Sequence, residues 1–226
     1  MNPIRPIIKV CGMRDADNIR EVEQLSTELS IVNCQLSINL MGFIFWPKSS
    51  RYVSERPAYL PHSAKRVGVF VNEDIDQVKR IAQDYALDFI QLHGQESPAY
   101  IRQLRSVCGD AIATIKAFNI ATPADLHHTA PYAGLVDYFL FDTKAQLPGG
   151  SGQQFDWSIL SAYAGSTPFL LSGGIGPDDA ARLRTLFSAG SGSVAAKCLG
   201  IDLNSRFETA PGLKDTNKLK QFLEQL

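Results

Sequence analysis

Eight short apolar runs, spaced along nearly the whole chain, constrain the fold more than any other feature of the sequence. Each run has four to six residues, and most are rich in β-branched and aromatic side chains. Runs this short and apolar are typical of strands buried on both faces of a parallel sheet. In chain order they are Ile7–Gly12, Leu40–Phe45, Val67–Val71, Phe89–Leu92, Ile112–Lys116, Tyr138–Phe141, Phe169–Ser172 and, as the weakest, Cys198–Ile201.

Amphipathic stretches between these runs predict helices. Ile75, Val78 and Ile81 share one helical face, and Ser97 before Pro98 has the pattern of an N-cap and first helical residue. Strand and helix alternate about eight times, with a repeat of roughly 25 to 30 residues, so we expect one (β/α)8 TIM barrel spanning residues 1–226. A doubly wound open sheet is the alternative, but no GxGxxG motif follows the first run.

Composition narrows the class of partner. The chain has 22 Lys and Arg against 23 Asp and Glu, which gives no electrostatic reason to expect nucleic acid or a membrane surface. We therefore expect a cytoplasmic enzyme. The four cysteines form no CxxC motif, so neither a zinc site nor disulfides are predicted. Ser26–Asn39 and Ser188–Val194 fit the repeat poorly and are interpreted as loop insertions.

Polar and glycine-rich residues follow six of the eight runs. Cys11 ends the first run, Arg51 follows the second, His93 follows the fourth and Asp142 follows the sixth. Because function collects at the C-terminal ends of barrel strands, these residues are expected on one rim. Packing alone does not explain such a concentration of polar residues.

Several motifs at this rim carry a family resemblance. They are the KVCG motif at 9–12, the GFIF motif at 42–45 with the PxSxRY segment at 47–52, QLHG at 91–94, Asp142 with GGSG at 149–152 and FDW at 155–157, SGGI at 172–175, and the segment 202–208. Six motifs in this order, spread over nearly the whole chain, resemble phosphoribosylanthranilate isomerases. Arg206 and Ser151 depart from that pattern, where Gly and Thr are common.

The resemblance implies an Amadori rearrangement of N-(5'-phosphoribosyl)anthranilate that needs no metal and no cofactor. It implies Cys11 as general base, Asp142 as general acid and Arg51 as the partner of the anthranilate carboxylate. A packing thiol, a turn-capping aspartate and a surface arginine are the alternatives for these three residues. A monomer or a homodimer acting on a small phosphosugar is expected.

A phosphate site is expected where glycine-rich loops meet near the last strands. Glycines let backbone N–H groups approach an anion, and barrels often bind phosphate after strands seven and eight. The candidate residues are Gly149, Gly150, Gly152, Gly173, Gly174, Asn204 and Ser205. A tight turn is the alternative for each glycine pair. His93 lies on the same rim, and its role is left open between catalysis and structure.

Lys9 is the basis of one further hypothesis. A free thiol has a pKa of about 8.5, so a base at Cys11 needs help at neutral pH. Lys9 lies two residues before Cys11, so both side chains point to the same face of the strand. We expect its positive charge to favour the thiolate, unless Lys9 only pairs with a buried carboxylate.

Two rival functions are weighed against this one. The histidine-pathway isomerase performs the same rearrangement on a related aminoaldose, with a pair of aspartates as acid and base. Cys11 in place of an aspartate argues against that function. A non-catalytic phosphate binder would be expected to lack Cys11 or Asp142, and both are present.

Overall fold

Eight parallel strands form a closed barrel. The structure is a computed structural model, and it describes residues 5–31, 36–109, 111–143, 157–188 and 196–226. Each strand pairs with the next along the chain, and β1 pairs with β8 to close the barrel. The strands are β1 (Ile7–Cys11), β2 (Ile38–Ile44), β3 (Lys65–Phe70), β4 (Phe89–Leu92), β5 (Ala113–Ile120), β6 (Tyr138–Thr143), β7 (Phe169–Ser172) and β8 (Cys198–Leu203). The expected TIM barrel is confirmed.

Helices cover the outside of the barrel between most of the strands. They are α1 (Ala16–Ile31), α2 (Ile75–Asp84), α3 (Pro98–Cys108), α4 (Ala180–Ser188) and α5 (Thr216–Gln225). Short 3₁₀ helices at Pro123–Tyr132, Trp157–Ala162 and Pro177–Asp179 serve the later connections. The connection from β2 to β3, residues 45–64, contains no helix. It leaves the barrel rim as a loop, and this loop carries Arg51.

The helix start predicted at Ser97 is confirmed by its cap. The Ser97 side chain accepts a hydrogen bond from the Tyr100 amide, with Pro98 as the first helical residue. At α2 the Asp74 carboxylate accepts from the amides of Asp76 and Gln77. Each cap satisfies amides that the first helical turn leaves without a partner.

The core has two parts, one inside the barrel and one outside it. The inner part is drawn from strands alone and includes Leu40, Val67, Ile115, Leu140 and Leu170. The outer and larger part packs the strands against the helices. Side chains alternate between the two sides of each strand, so a strand residue serves one part or the other.

The interpretation of Ser26–Asn39 as a loop insertion is wrong for most of its length. Helix α1 continues to Ile31, and β2 already begins at Ile38. The physical reason is one apolar face on α1, where Ile19, Val22 and Leu29 are fully buried. That face carries the helix to Ile31, into a segment that was interpreted as an insertion because it is longer than a plain connection needs. Of the second expected insertion, Ser188 ends α4, and the residues after it lie outside the described ones.

A short antiparallel hairpin follows the barrel and returns to its rim. Its strands are β9 (Glu208–Ala210) and β10 (Leu213–Lys214). The Asn18 side chain, near the start of α1, binds both backbone groups of Lys214, at 2.7 and 2.9 Å. The hairpin is thereby fixed against the first helix. Over the described residues, no helix is long and apolar enough to cross a bilayer.

Candidate active site

A cavity of about 780 Å³ opens at the C-terminal end of the barrel. Every one of the eight strands contributes to its wall. In strand order these residues are Cys11, Ile44, Val69, Gln91, Asn119, Asp142, Ser172 and Asp202. The predicted rim residues Cys11, Asp142, Gly173, Gly174, Asn204 and Ser205 all line this one cavity, as does His93.

Cys11 lies deep in the cavity wall at the end of β1 and is only 4% exposed. The neighbouring strand makes room for its thiol with Gly42, since a Cβ there would lie 2.7 Å from Cys11 Sγ. Burial raises the pKa of the Cys11 thiol above its ordinary value, although the positive charges of Lys9 and Lys214 act to lower it. Burial is the stronger effect.

Lys9 makes both of the interactions that the sequence left open. It pairs across the β1–β8 closure with Asp202, with Lys9 Nζ 2.9 Å from Asp202 Oδ1, and both side chains are almost fully buried. Burial acts to lower the pKa of Lys9, but the negative charges of Asp202 and Cys11 outweigh it and raise that pKa. The ammonium therefore stays charged beside the thiol. It lowers the Cys11 pKa without overcoming desolvation.

Asp142 occupies the other side of the cavity, on β6, and its side chain is 16% exposed. His93 Nε2 lies 3.6 Å from Asp142 Oδ2, which is too long for a strong hydrogen bond. Gln91 Nε2 lies 2.9 Å from His93 Nδ1. With the amide donating to Nδ1, the ring proton is on Nε2 and faces Asp142. His93 is thus placed to orient the carboxyl group.

Arg51 is tied to a carboxylate that the sequence patterns did not single out as a partner. Its Nε lies 2.9 Å from Glu208 Oε1, and its Nη2 lies 2.6 Å from Glu208 Oε2. Lys214 Nζ donates to Glu208 Oε1 at 2.6 Å and to Asn204 Oδ1 at 2.8 Å. Glu208 and Lys214 are far from Arg51 in the chain, so no local pattern could reveal the contact. Glu208 ends a motif of the family resemblance, and that was the only available signal.

These ion pairs form one buried charge cluster beside Cys11. It contains three cations, Lys9, Arg51 and Lys214, against two carboxylates, Asp202 and Glu208. With all five groups ionised the cluster carries one net positive charge, although burial lowers the pKa of Lys214. Such a charge favours an anion nearby, either a thiolate or a ligand carboxylate.

The loops after β7 and β8 meet on the remaining part of the rim. Gly173 and Gly174 both have positive φ, 95° and 67°, which favours glycine at each. The 3₁₀ turn that leads into α4 starts just beyond them, and the N-terminal end of a helix attracts anions. Gly149, Gly150 and Gly152 lie outside the described residues.

Arg206, a departure from the family pattern, also lines the cavity at this corner. Its guanidinium lies over the β7 loop, since a Cβ on Gly176 would be 3.2 Å from Arg206 Nε. The corner thus combines glycine loops, Asn204, Ser205 and a cation. Among the described residues, no group of three or more His, Cys, Asp or Glu side chains is placed to hold a metal ion.

Comparison with known proteins gives a consistent result. Residues 10–225 match the family described as N-(5'phosphoribosyl)anthranilate (PRA) isomerase. The N-(5'-phosphoribosyl)anthranilate isomerase of Phocaeicola vulgatus is 46% identical, with 97% of each chain covered. The crystal structure of the isomerase from Thermotoga maritima has a TM-score of 0.76 at 28% identity, covering 97% of this chain and 98% of that one.

A second solved structure bears on the cavity. It is a phosphoribosyl anthranilate isomerase in complex with reduced 1-(o-carboxyphenylamino)-1-deoxyribulose 5-phosphate. The two chains are 25% identical, with a TM-score of 0.72 and 97% of each covered. The family match and the near-full-length similarity lead to one conclusion: this chain belongs to the N-(5'-phosphoribosyl)anthranilate isomerase family.

Proposed function

We propose that this protein, acting as a single domain over residues 1–226, catalyses the Amadori rearrangement of N-(5'-phosphoribosyl)anthranilate in tryptophan biosynthesis. The observation that carries the proposal is the wall of one cavity. A thiol, a carboxyl group, Asn204 and Ser205 beside glycine loops face the same space. The rearrangement of a phosphosugar that carries anthranilate requires a general acid, a general base and an anion site in one cavity.

The acid step belongs to Asp142. Its protonated carboxyl gives a proton to the furanose ring oxygen, while the nitrogen lone pair breaks the C1–O bond and forms a Schiff base. The exposed side of Asp142 lets the carboxyl regain its proton from solvent after each turnover. General acid catalysis of this kind contributes about 10²- to 10⁴-fold in rate.

The base step belongs to Cys11. Its thiolate removes the proton at C2 of the ribose, and the electrons of that bond form the enolamine. In the tautomerisation, C1 gains a proton from the Cys11 thiol and the C2 hydroxyl loses its proton to solvent, which restores the thiolate and gives 1-(2-carboxyphenylamino)-1-deoxyribulose 5-phosphate. Burial raises the pKa of Cys11, and the positive charges of Lys9 and Lys214 offset part of that effect. Desolvation also strengthens a base once it forms, because no water shields it.

The anthranilate part of the substrate lies towards Arg51. A guanidinium fork suits a planar carboxylate. Ile44, Trp46 and Val69 form an apolar side of the cavity, with the Trp46 side chain partly exposed. An aromatic ring between these side chains removes apolar surface from water. The proposal therefore places the ring on the β2–β3 side.

The phosphate lies between the loops after β7 and β8. Gly173, Gly174, Asn204 and Ser205 form that part of the rim, and the three glycines of residues 149–152 are assigned to it from the sequence. Arg206 adds a positive charge that suits a phosphate dianion. Inorganic phosphate is accordingly expected to inhibit competitively, and Arg206→Ala is expected to weaken that inhibition.

The direct test is a turnover assay. Purified protein is mixed with freshly prepared N-(5'-phosphoribosyl)anthranilate, and the loss of substrate fluorescence is followed. We expect rapid loss with the native protein and a loss about 10³-fold slower with Cys11→Ser. Native protein that binds the product but leaves the fluorescence unchanged would instead support a non-catalytic binder.

A second measurement tests the carboxylate assignment. Arg51→Ala is expected to raise KM about tenfold or more, since charge-assisted hydrogen bonds of this kind contribute roughly 1.5–3 kcal/mol. Product analogues without the carboxylate should lose little affinity on the same substitution. Equal losses for both analogues would show that Arg51 does not bind the carboxylate.

A further inference from the structure

Glu208 is the most heavily bonded carboxylate of the candidate site. Its side chain is 5% exposed, and it accepts hydrogen bonds from Arg51, Lys214 and the Gly212 amide. Burial acts to raise its pKa, but the bonds from Arg51 and Lys214 outweigh burial and lower that pKa. Glu208 is therefore a fixed anion next to Arg51. Because desolvation can cancel the stability gained from a buried ion pair, stability alone does not explain why Glu208 is paired with Arg51 and Lys214.

The geometry of the Arg51–Glu208 pair leaves one edge of the guanidinium available. A guanidinium can bind a carboxylate through its Nε and Nη2 edge or through its Nη1 and Nη2 edge. Glu208 takes the first of these, at 2.9 Å to Nε and 2.6 Å to Nη2. Among the described residues, Nη1 has only a 3.5 Å contact with Ser50 Oγ. Arg51 is 20% exposed, four times the fraction of Glu208.

The position of Glu208 is itself determined by the surrounding fold. Lys214 Nζ bridges Glu208 and Asn204, which joins the hairpin to the end of β8. The Lys214 backbone is held at both its N–H and its C=O by the Asn18 side chain. Lys214 has no exposed side-chain surface. The carboxylate that holds Arg51 is thus itself held by Lys214, and by the Gly212 amide.

We propose that Glu208, held by Lys214, is a positioning residue that orients Arg51 for substrate selection. One guanidinium binds two carboxylates: Glu208 takes the Nε and Nη2 edge, and the substrate carboxylate takes the Nη1 and Nη2 edge. The inference rests on the proposed function, in which Arg51 is the carboxylate ligand. Because the guanidinium is planar, fixing one edge also fixes the plane in which the substrate carboxylate must lie.

Glu208→Gln tests this inference through selectivity. The amide keeps the shape but removes the charge that holds the guanidinium. We expect KM to rise about tenfold with kcat changed less than about threefold, the pattern of lost binding that is uniform along the reaction. The ratio of affinities for the product and for its analogue without the carboxylate should fall by a similar factor. A purely structural role would weaken both ligands alike.

Glu23→Gln is the matched control. Glu23 is also a strongly hydrogen-bonded carboxylate, bound to Tyr59 and Ser63, but its partners belong to residues 59–64, which precede β3 at the other end of the barrel. Its substitution should leave KM, kcat and the affinity ratio unchanged. If Glu208→Gln does not fold, Glu208→Asp is the variant to test, because it keeps the negative charge but moves the carboxylate away from Arg51 by one methylene. The same fall in the affinity ratio is expected for that variant.

A double-mutant cycle with Arg51→Ala decides the question. If Glu208 acts through Arg51, Glu208→Gln has no further effect on KM once Arg51 is removed. Additive effects, or a lower KM in Glu208→Gln alone, would overturn the inference. The failure of the proposed function can be told apart from the failure of this inference. The proposed function fails if native protein shows no turnover, or if Arg51→Ala lowers the affinity for both product analogues equally.

Discussion

The two sides of the cavity are built differently. Cys11 is 4% exposed, and nearby Lys9 and Lys214 are paired with Asp202 and Glu208 at 2.9 and 2.6 Å, with all four side chains at most 5% exposed. Asp142 is 16% exposed, and its partner His93 is 31% exposed and 3.6 Å away. The Cys11 side is therefore more buried and closely paired, and the Asp142 side is more open, with its neighbour His93 beyond hydrogen-bond distance.

This difference matches what each proton transfer needs. An acid that gives its proton to a ring oxygen must recover it from solvent, so partial exposure helps turnover. A thiolate that removes a proton from carbon gains strength when water is excluded. It then needs fixed positive charge to form at all, and Lys9 and Lys214 supply that charge. Burial and the charge cluster on the β1–β8 side thus act on the same thiol, one raising its pKa and the other lowering it.

The sharpest test of the contrast compares the two catalytic substitutions. Cys11→Ser should reduce kcat about 10³-fold, because a serine hydroxyl is not ionised near neutral pH and no water can replace it. Asp142→Asn should reduce kcat about 10²-fold, since solvent at the open side can still supply a proton. Product titration must show retained binding in both variants. If Asp142→Asn is the more damaging substitution, the contrast between the two sides is wrong.

Removal of Lys9 tests the charge cluster. Lys9→Met leaves Asp202 buried and unpaired, so the free energy of unfolding should fall by about 3 kcal/mol or more. In the folded variant the thiol loses a cation, so the Cys11 pKa rises and alkylation of Cys11 moves to higher pH.

Asp202→Asn is the opposite control for Lys9→Met. It removes an anion that raises the Cys11 pKa, so the alkylation profile should move to lower pH. Mass spectrometry of the Cys11 peptide separates this thiol from the other cysteines. A profile that is unchanged in both variants would remove Lys9 and Asp202 from the control of the thiol.

Alanine substitutions at two glycines test how tightly two parts of the rim are packed, one beside Arg51 and one in the loop after β7. Gly12 and Gly174 both have positive φ, so an alanine at either costs about 1–2 kcal/mol of backbone strain. A Cβ on Gly12 would also lie 2.6 Å from Arg51 Cδ, whereas nothing lies within 4 Å of a Cβ on Gly174.

Gly12→Ala should therefore lower the free energy of unfolding by about 1 kcal/mol more than Gly174→Ala does. It should also raise KM, because Arg51 must move. Denaturant unfolding and steady-state kinetics measure the two effects. Equal stability losses would mean that Arg51 is not packed as tightly as described.

The smallest expected effect concerns His93. His93→Asn should lower kcat about tenfold with little change in KM, because the side chain orients Asp142 without holding the substrate. His127→Asn is the matched control, since His127 is exposed on the Pro123–Tyr132 3₁₀ helix. A His93 variant with native kcat would assign His93 a structural role with Gln91.

Strand positions and the shared rim could be predicted because they depend on local patterns. Continuous apolar runs identify buried strands, and parallel strands bring their C-terminal ends to one side. Cys11 and Asp142, 131 positions apart in the numbering, were thus expected in one cavity, and they do line one. The end of α1 was missed because residues 26–39 were interpreted from their length alone, whereas the buried face of Ile19 and Val22 continues to Leu29 within them.

The charge cluster could not be predicted because its contacts are not local. Nothing near Arg51 in the chain indicates Glu208, and nothing near Lys9 identifies Asp202 as its particular partner. Lys214 shows the same limit, since a lysine in a short polar hairpin is usually solvated and here is fully buried. Charge pairing across a barrel closure depends on register, and register is a property of the assembled fold.

The way the charge cluster joins the two ends of the chain has a consequence for synthesis. Lys9 and Asp202 are separated by 193 positions, Arg51 and Glu208 by 157, and Asn18 and Lys214 by 196. Cys11 is therefore synthesised long before Asp202 and Lys214, two of the charged groups that act on its pKa. Contacts of such high sequence separation form late and slowly. The charges that act on the Cys11 pKa in the folded protein are therefore all in place only after β8 and the β9–β10 hairpin have been synthesised.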